Sequence, residues 1–295
     1  MALPPHPWPT GLSETLEPLV RRVLAPNGSP FTFTGTQTYL VGGDDGLAVI
    51  DPGPDDPEHL AALVAAIGEA KVLAIACTHT HRDHSPAAAP LAALTGAPII
   101  GCAPLVIESD QPRADAPFDK SYAPDRVLTD GETLTGPGWT LRAVATPGHT
   151  SNHLCYALEE TGALFTGDHV MAWSTSVVAP PDGEMADYMA SLYKLYQRDD
   201  RIYYPAHGPP VEKPRQLVRG MIGHRRQRER QIMRLLGESP RAVTELVPVM
   251  YAGVQQFLWP AAGQSVLAHL LDLERQGRVQ QSGEAWHAVP ATTEA

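Results

Sequence analysis

Thr78-His79-Thr80-His81-Arg82-Asp83-His84 places three imidazoles and a carboxylate within six residues, directly after the apolar run Val72-Leu73-Ala74-Ile75-Ala76-Cys77. A neutral imidazole nitrogen is the commonest protein ligand for a borderline metal ion. A single loop histidine is an ordinary surface residue, but three at this density with an acid between two of them read as a metal-binding cluster. Three later motifs repeat the theme: Thr146-Pro147-Gly148-His149, Gly167-Asp168 and Pro205-Ala206-His207-Gly208. Each follows a short strand-like run, and each has a glycine beside the candidate ligand, which permits a tight backbone path around an ion.

The elements that must position these groups alternate in type. Phe31 to Gly42 and Leu47 to Ile50 read as paired strands, and Asp51-Pro52-Gly53-Pro54 as a turn. Leu60, Leu63, Val64 and Ile67 recur at helical spacing and predict a helix over 57–67. A strand over 72–76 leads into the histidine loop, an alanine-rich helix follows to Leu94, and 98–101 is a short strand. Further strands are expected at 139–145, 154–158, 163–166 and 202–204, with a helix over 184–198. Residues 1–30 are proline-rich and expected to wrap the surface, and 102–125 to form a long loop. The class is α/β with a mixed sheet.

The character changes after residue 212. A long helix from Pro214 to Leu236 carries Arg215, Arg219, Arg225, Arg226, Arg228, Arg230 and Arg234. Helices over 242–250 and 265–276 follow, then two short strands at 277–281 and 286–289, the order of a winged-helix unit. Residues 1–212 carry a balance of -15 and residues 213–295 one of +4, so two units are expected, divided at 212/213. With 295 residues and 43% hydrophobic content the chain can bury a sizeable core. The three cysteines, Cys77, Cys102 and Cys155, form no Cys-x-x-Cys pair and read as small core residues rather than a disulfide framework. The amino terminus lacks the basic and apolar regions of a secretory signal, and no run could span a bilayer, so a cytoplasmic protein is expected.

This set of residues resembles the metallo-β-lactamase superfamily, whose signature is His-x-His-x-Asp-His followed by a later His, a later Asp and a final His. Residues 79–84 match it position by position, and His149, Asp168 and His207 follow in order. The resemblance implies an αββα sandwich with the site at one edge, followed here by the winged helix. It also implies two metals. His79, His81 and His149 would hold one metal, Asp83, His84 and His207 the other, and Asp168 would bridge them. Asp83 and Asp168 would then share in catalysis. Imidazoles and carboxylates without cysteine suit Zn2+, two per chain, with Mn2+ or iron as alternatives. Two such cations, about 3.5–4 Å apart, make a bridging hydroxide available near neutral pH and polarise a carbonyl or phosphoryl group. The redox di-iron branch carries Glu where this chain has His81, so hydrolysis is expected. Asp51, in Val49-Ile50-Asp51-Pro52-Gly53, would orient a ligand histidine. His153, His169, Trp173 and Tyr188 are candidate substrate contacts, whereas His6, His59, His224, His269 and His287 lie outside any motif.

The stretch Gly167-Asp168-His169-Val170, with Asp187 to Leu192, Tyr204 to Pro209 and Ile222-Gly223-His224-Arg225, is similar to the β-lactamase-like protein 2 group. That group includes an endoribonuclease of single-stranded RNA and thioesterase-like enzymes of polyketide pathways. Cleavage of single-stranded RNA is the first expectation, from the arginine-rich helix. The alternative is hydrolysis of an ester, thioester or lactone in a small acyl substrate, with Trp173, Val177, Val178 and Pro180-Pro181 as an apolar wall. Glyoxalase-type chemistry ranks lower because its usual C-terminal domain is not a winged helix, and an exported antibiotic-degrading β-lactamase lower still. A third reading is a DNA-binding regulatory protein, although 265–276 holds only Arg275 as a base. The winged helix is instead expected to cover the active-site rim or to form a homodimer contact.

Overall fold

The computed structural model describes residues 8–107 and 117–290. The expectations for residues 1–7, His6 among them, and for 108–116 of the 102–125 loop lie outside the described residues.

Two sheets face each other. In the first, β1 (Ser13–Glu17), β2 (Val20–Leu24), β3 (Gln37–Gly43), β4 (Gly46–Ile50), β5 (Val72–Cys77), β6 (Ile99–Gly101) and β7 (Arg126–Val127) lie side by side in that order. Pairing is antiparallel up to β4 and parallel from β4 to β7. In the second, the order is β12 (Ile202–Pro205), β11 (Ala163–Gly167), β10 (Leu154–Leu158), β9 (Trp139–Ala145) and β8 (Thr133–Gly136). Tyr39, Leu40 and Ile75 of one sheet share a core with Leu141, Tyr156 and Phe165 of the other. Helices α1 (Pro57–Ile67) and α2 (Ala88–Thr95) pack on the first sheet. Helix α3 (Met185–Gln197) covers the second through Tyr188, Leu192 and Leu195, which join Val144, Cys155 and Leu164. Central strands such as β4, buried along their whole length, read as continuous apolar runs because both faces are covered.

The amino-terminal segment differs from expectation. It is a hairpin, β1–β2, at the edge of the first sheet, not a surface wrap. Pro18 sits in the two-residue turn, where its missing N–H costs no ladder bond. Arg21 and Arg22 obscured the apolar run, yet Val20, Val23 and Leu24 are buried. Arg22 is buried as well, because Glu14 and Gln37 accept its guanidinium hydrogens. Residues 31–36, expected as strand, are loop, with Phe33 in the left-handed region at φ 59°.

Helix α4 (Pro214–Glu238) belongs to two cores. Val218, Met221 and Ile222 pack with α3, while Ile232, Leu235 and Leu236 pack with α5 (Val243–Met250), α6 (Trp259–Arg275) and Trp286. The expected division at 212/213 therefore falls at the start of a helix whose first half is part of the catalytic layer. The wing holds three strands rather than two: β13 (Arg241–Ala242) joins β15 (Ala285–Ala288) and β14 (Val279–Ser282). Helix α6 begins six residues before the expected Ser265, with Pro260 in the first turn, where it is tolerated. Cys77, Cys102 and Cys155 are free and buried. Among the described residues no helix is long and apolar enough to cross a membrane.

Candidate metal centre

The site forms where strands of both sheets end at one edge. Asp51 follows β4, the His79–His84 loop follows β5, His149 follows β9, Asp168 follows β11 and His207 follows β12. Two glycines allow the approach. Gly167 has φ 49°, and a Cβ there would lie 2.7 Å from both Thr78 Oγ1 and His153 Nε2. Gly148 has φ 132°, and a Cβ there would lie 2.3 Å from Tyr188 N and Cα.

Hydrogen-bond partners fix the tautomers. Asp51 Oδ1 accepts from Thr78 N–H at 2.7 Å, and Oδ2 accepts from the Thr78 hydroxyl at 2.7 Å. With its proton so committed, the Thr78 oxygen accepts from His79 Nδ1 at 3.0 Å. His84 Nδ1 faces Asp51 Oδ2 at 3.0 Å, His149 Nδ1 faces the Val177 carbonyl at 2.6 Å, and His207 Nδ1 faces the Gly35 carbonyl at 3.2 Å. All three partners can only accept. Four imidazoles thus carry a proton on Nδ1 and, when neutral, present the Nε2 lone pair to the centre. His79 Nε2 and His149 Nε2 lie 3.0 and 3.2 Å from His81 Nδ1.

The groups form two sets whose ligand atoms lie within 4.8 Å of one another: His79, His81, His149 and Asp168, and Asp83, His84 and His207. Asp168 faces both. Its Oδ1 is 3.2 Å from His207 Nε2, and its Oδ2 is 3.6 Å from His84 Nε2 and from His149 Nε2. Asp83 Oδ2 is 3.3 Å from His84 Nε2 and 3.2 Å from His207 Nε2. Convergent, buried lone pairs and carboxylates are the donor set that a cation satisfies.

Electrostatics divide the two sets. Burial, with His84 and His81 nearby, holds His79 well below the usual imidazole range, so it stays neutral. Burial also opposes charge on His84 and His207, but carboxylates outweigh it. Asp83, Asp168 and Asp51 hold His84 well above its ordinary value, and Asp168 and Asp83 push His207 up to about 10. Burial would raise Asp83 and Asp168, yet the same imidazoles hold both well below the usual carboxylate range. Without a cation the second set is a proton-filled ion-pair cluster, and a metal takes the place of those protons.

Residues 31–207 match the Metallo-beta-lactamase superfamily. The chain belongs to that superfamily. This chain is a metal-dependent hydrolase. Residues 242–286 match the beta-lactamase associated winged helix domain. A Beta-lactamase-like protein 2 homolog of Drosophila melanogaster is 32% identical over 286 residues, covering 90% of this chain and 91% of that protein. An atrochrysone carboxyl ACP thioesterase of Aspergillus fumigatus is 32% identical over 225 residues, covering 75% of this chain and 65% of that protein. The fold is shared with a metallo-beta-lactamase family protein of Thermus thermophilus, at 24% identity and a TM-score of 0.75, covering 93% of this chain and all of that one. A solved structure in a di-iron-bound form is 28% identical with a TM-score of 0.51, covering 65% of this chain and 93% of that one.

In this metallo-β-lactamase fold the metal-facing residues open onto a cavity of about 460 Å³. It is lined by His81, Asp83, His149, Asp168 and His207 together with Phe31, Arg82, Pro117, Met171 and Val177. The candidate substrate contacts are not brought to this cavity. His153 is buried, its Nε2 accepts from Asp168 N–H at 3.3 Å and its Nδ1 meets Thr146 Oγ1 at 2.9 Å, so it holds the Asp168 backbone. His169 is fully buried and held neutral, at about 3, by burial, with His149 and Arg225 close by. Tyr188 is fully buried and donates to the His169 carbonyl at 3.1 Å. Trp173 stacks on Phe33 at 5.0 Å and faces a neighbouring chamber. Each stands beside a site motif in the sequence, but none of the four lines this cavity. Sequence reasoning missed Thr78, the relay between Asp51 and His79, and also Phe31 and Arg82. Thr78 sits next to a ligand at a strand end, which is the one signal that marked it.

Proposed function

We propose that this hydrolase cleaves an ester, thioester or lactone bond in a small acyl substrate at a dinuclear centre. His79, His81 and His149 would hold one cation and Asp83, His84 and His207 the other, with the Asp168 carboxylate between them. The all-imidazole-and-carboxylate donor set suits zinc, and the di-iron-bound neighbour shows that this fold also accommodates iron. When bound, two such cations supply a Lewis acid and activate water near neutral pH. The protein's own groups do the rest. Asp51 and the carbonyls of Val177 and Gly35 keep the Nε2 lone pairs aimed inward. Phe31, Pro117, Met171 and Val177 exclude water around the acyl group, and Arg82 offers the carbonyl or a nearby oxyanion a positive neighbour.

The lining of the cavity carries this reading. Arg82 is its single lysine or arginine among the described residues, and apart from the candidate ligands, Arg82, Ser29 and Thr32 its lining is apolar. A polyanion such as RNA needs a run of phosphate-binding cations near the reacting bond. Among the described residues no arginine of the arginine-rich helix lines this cavity, and the two that face the adjoining chamber, Arg225 and Arg228, do not make such a run. Arg225 donates to the Ser176 carbonyl, and Arg228 donates to the Met250 carbonyl at 2.7 Å and stacks on Tyr251. RNA, the first expectation from sequence, therefore takes second place. The DNA reading gains no support: α6 is buried along one face, and Arg275, its only base, pairs with Glu184. Similarity to an ACP thioesterase points the same way as the cavity.

The test is a parallel assay of the metal-loaded enzyme on acyl-thioester, ester and lactone panels and on fluorescent single-stranded RNA, each with Asp168→Ala as control. Acyl hydrolysis abolished in the variant is expected. RNA cleavage with no acyl turnover would replace this reading with the nuclease one.

A further inference from the structure

A second chamber, about 300 Å³, lies between the Trp173–Val177 loop, the middle of α4 and the start of α6. It shares Phe31, Met171 and Val177 with the metal-site cavity, so the two adjoin along these residues. The catalytic layer supplies Trp173 and Ser174 to Val177, and the winged helix supplies Tyr251, Val254, Leu258 and the first turns of α6.

Its charge is uncompensated. Arg225 is 3% exposed, and among the described residues neither Arg225 nor Arg228 forms an ion pair. Their partners are neutral: Ser176 O and the Tyr188 ring for Arg225, and Gln231 Oε1, Met250 O and the Tyr251 ring for Arg228. Among the described residues no aspartate or glutamate lines the chamber. Four buried polar atoms of its lining have no hydrogen-bond partner among the described residues: Trp173 Nε1, His224 Nδ1, Arg225 Nε and Arg228 Nε. Three of these are obligatory donors. Positive charge spreads to the surroundings, since burial and these two arginines push His224 down to about 4 and His269 to about 3. Sheltered cations and donors without a counter-charge are costly unless a ligand supplies the anion.

We propose that this chamber is an oxyanion subsite, which binds a carboxylate or phosphate at the far end of an elongated acyl substrate whose scissile bond lies at the metal centre. The planar forks of Arg225 and Arg228 suit such a group, and the Trp173 indole N–H and His224 complete its shell after small side-chain adjustments. The winged helix is then a wall of the substrate site. This rests on the acyl-hydrolase reading for the identity of the ligand, but not for the binding of the anion.

The experiment uses the metal-loaded full chain. Indole N–H resonances are followed by NMR as orthophosphate or acetate is added, with the Trp173 peak identified by its loss in Trp173→Phe. A saturable shift of that peak is expected, lost in Arg228→Met and weakened in Arg228→Lys, which keeps a cation near the Met250 carbonyl and guards against simple misfolding. In parallel, kcat/KM is compared for acyl esters with and without a terminal carboxylate or phosphate. The ratio of anionic to neutral substrate should fall about tenfold in Arg228→Met, in keeping with one charge-assisted hydrogen bond. The preferred terminal group identifies the ligand. Absence of a saturable shift with either anion, or an equal shift in Arg228→Met, would overturn the subsite. A shift accompanied by no acyl turnover would leave the subsite standing and remove the acyl-hydrolase reading.

Discussion

Asp51→Asn isolates what orients the ligands. Asp51 has φ 48°, a left-handed conformation that asparagine tolerates as well as aspartate, so the substitution adds no backbone strain. The carboxylate serves three donors: Thr78 N–H on Oδ1, and the Thr78 hydroxyl and His84 Nδ1 on Oδ2. An amide has one acceptor oxygen and one NH2. If the oxygen meets Thr78 N–H, the NH2 faces the Thr78 hydroxyl and His84 Nδ1. The hydroxyl must then turn its proton away, which frees it to donate toward His79 Nδ1. Both His79 and His84 are pushed toward the tautomer with hydrogen on Nε2, the atom that must bind metal. Loss of such an orienting partner costs about 10–100-fold in metal affinity, or about 1.4–2.8 kcal/mol. Loss of the charge-assisted bonds should also lower the stability of the metal-free protein by about 2 kcal/mol. Competition against a chromophoric chelator reads the first quantity and urea unfolding of chelated protein reads the second. Because Asp51 reaches both sets, both metals should weaken. Wild-type affinity at both sites, within about threefold, would refute the tautomer argument whatever the stability change. If only the metal at the Asp83–His84–His207 set weakened, the Thr78 relay to His79 would be wrong.

Metal analysis of the purified chain should give close to two equivalents, and chelation should abolish turnover. Asp168→Ala removes the one group that faces both sets, so metal retention and rate should fall beyond the roughly hundredfold typical of an outer partner. At pH 7, with His84 and His207 held above the ordinary imidazole value, metal uptake should release close to two protons from these rings and a further one where a bound water ionises, measured by calorimetry in buffers of different protonation enthalpy. The sign follows: affinity at the Asp83–His84–His207 set rises with pH from 7 toward 10 and falls on acidification, and an affinity that declines over that range would contradict it. Gly148→Ala should destabilise by about 2–3 kcal/mol and loosen His149, because its Cβ would meet the Tyr188 backbone; thermal unfolding and metal content together check this.

Much of the fold was legible because its signals are local. Helical spacing marked α1 and α3, apolar runs marked β4, β5 and β10, and Gly96 closed α2 in the left-handed region. The β1–β2 hairpin was not legible, because residues 1–30 read as proline-rich and the groups that let Arg22 be buried, Glu14 and Gln37, meet it only in the folded sheet. Helix α6 was read short because Pro260 and Gly263 look like breakers, although the first turn accepts the proline and Gly263 rests against Val243 and Val247.

By itself the sequence determined the donor chemistry. His79, His81, Asp83, His84, His149, Asp168 and His207 are recognisable by residue type, by spacing, and by glycines at strand ends. Those are properties of short segments, and the chemistry of an imidazole or a carboxylate does not depend on the rest of the chain. Tertiary structure decided the roles of the remaining histidines, which proton each ring carries, and what the cavity admits. Those depend on groups far apart in sequence: the Gly35 carbonyl against His207, the Val177 carbonyl against His149, and Asp168 N–H on His153. The setting of the arginine-rich helix was decided in the same way. Its pattern suggested an open surface for phosphates, but Arg225 is buried against Ser176 and Tyr188 and Arg228 rests on Met250 and Tyr251, so these two arginines face an enclosed chamber, because a helix face acquires its role only from what is placed against it.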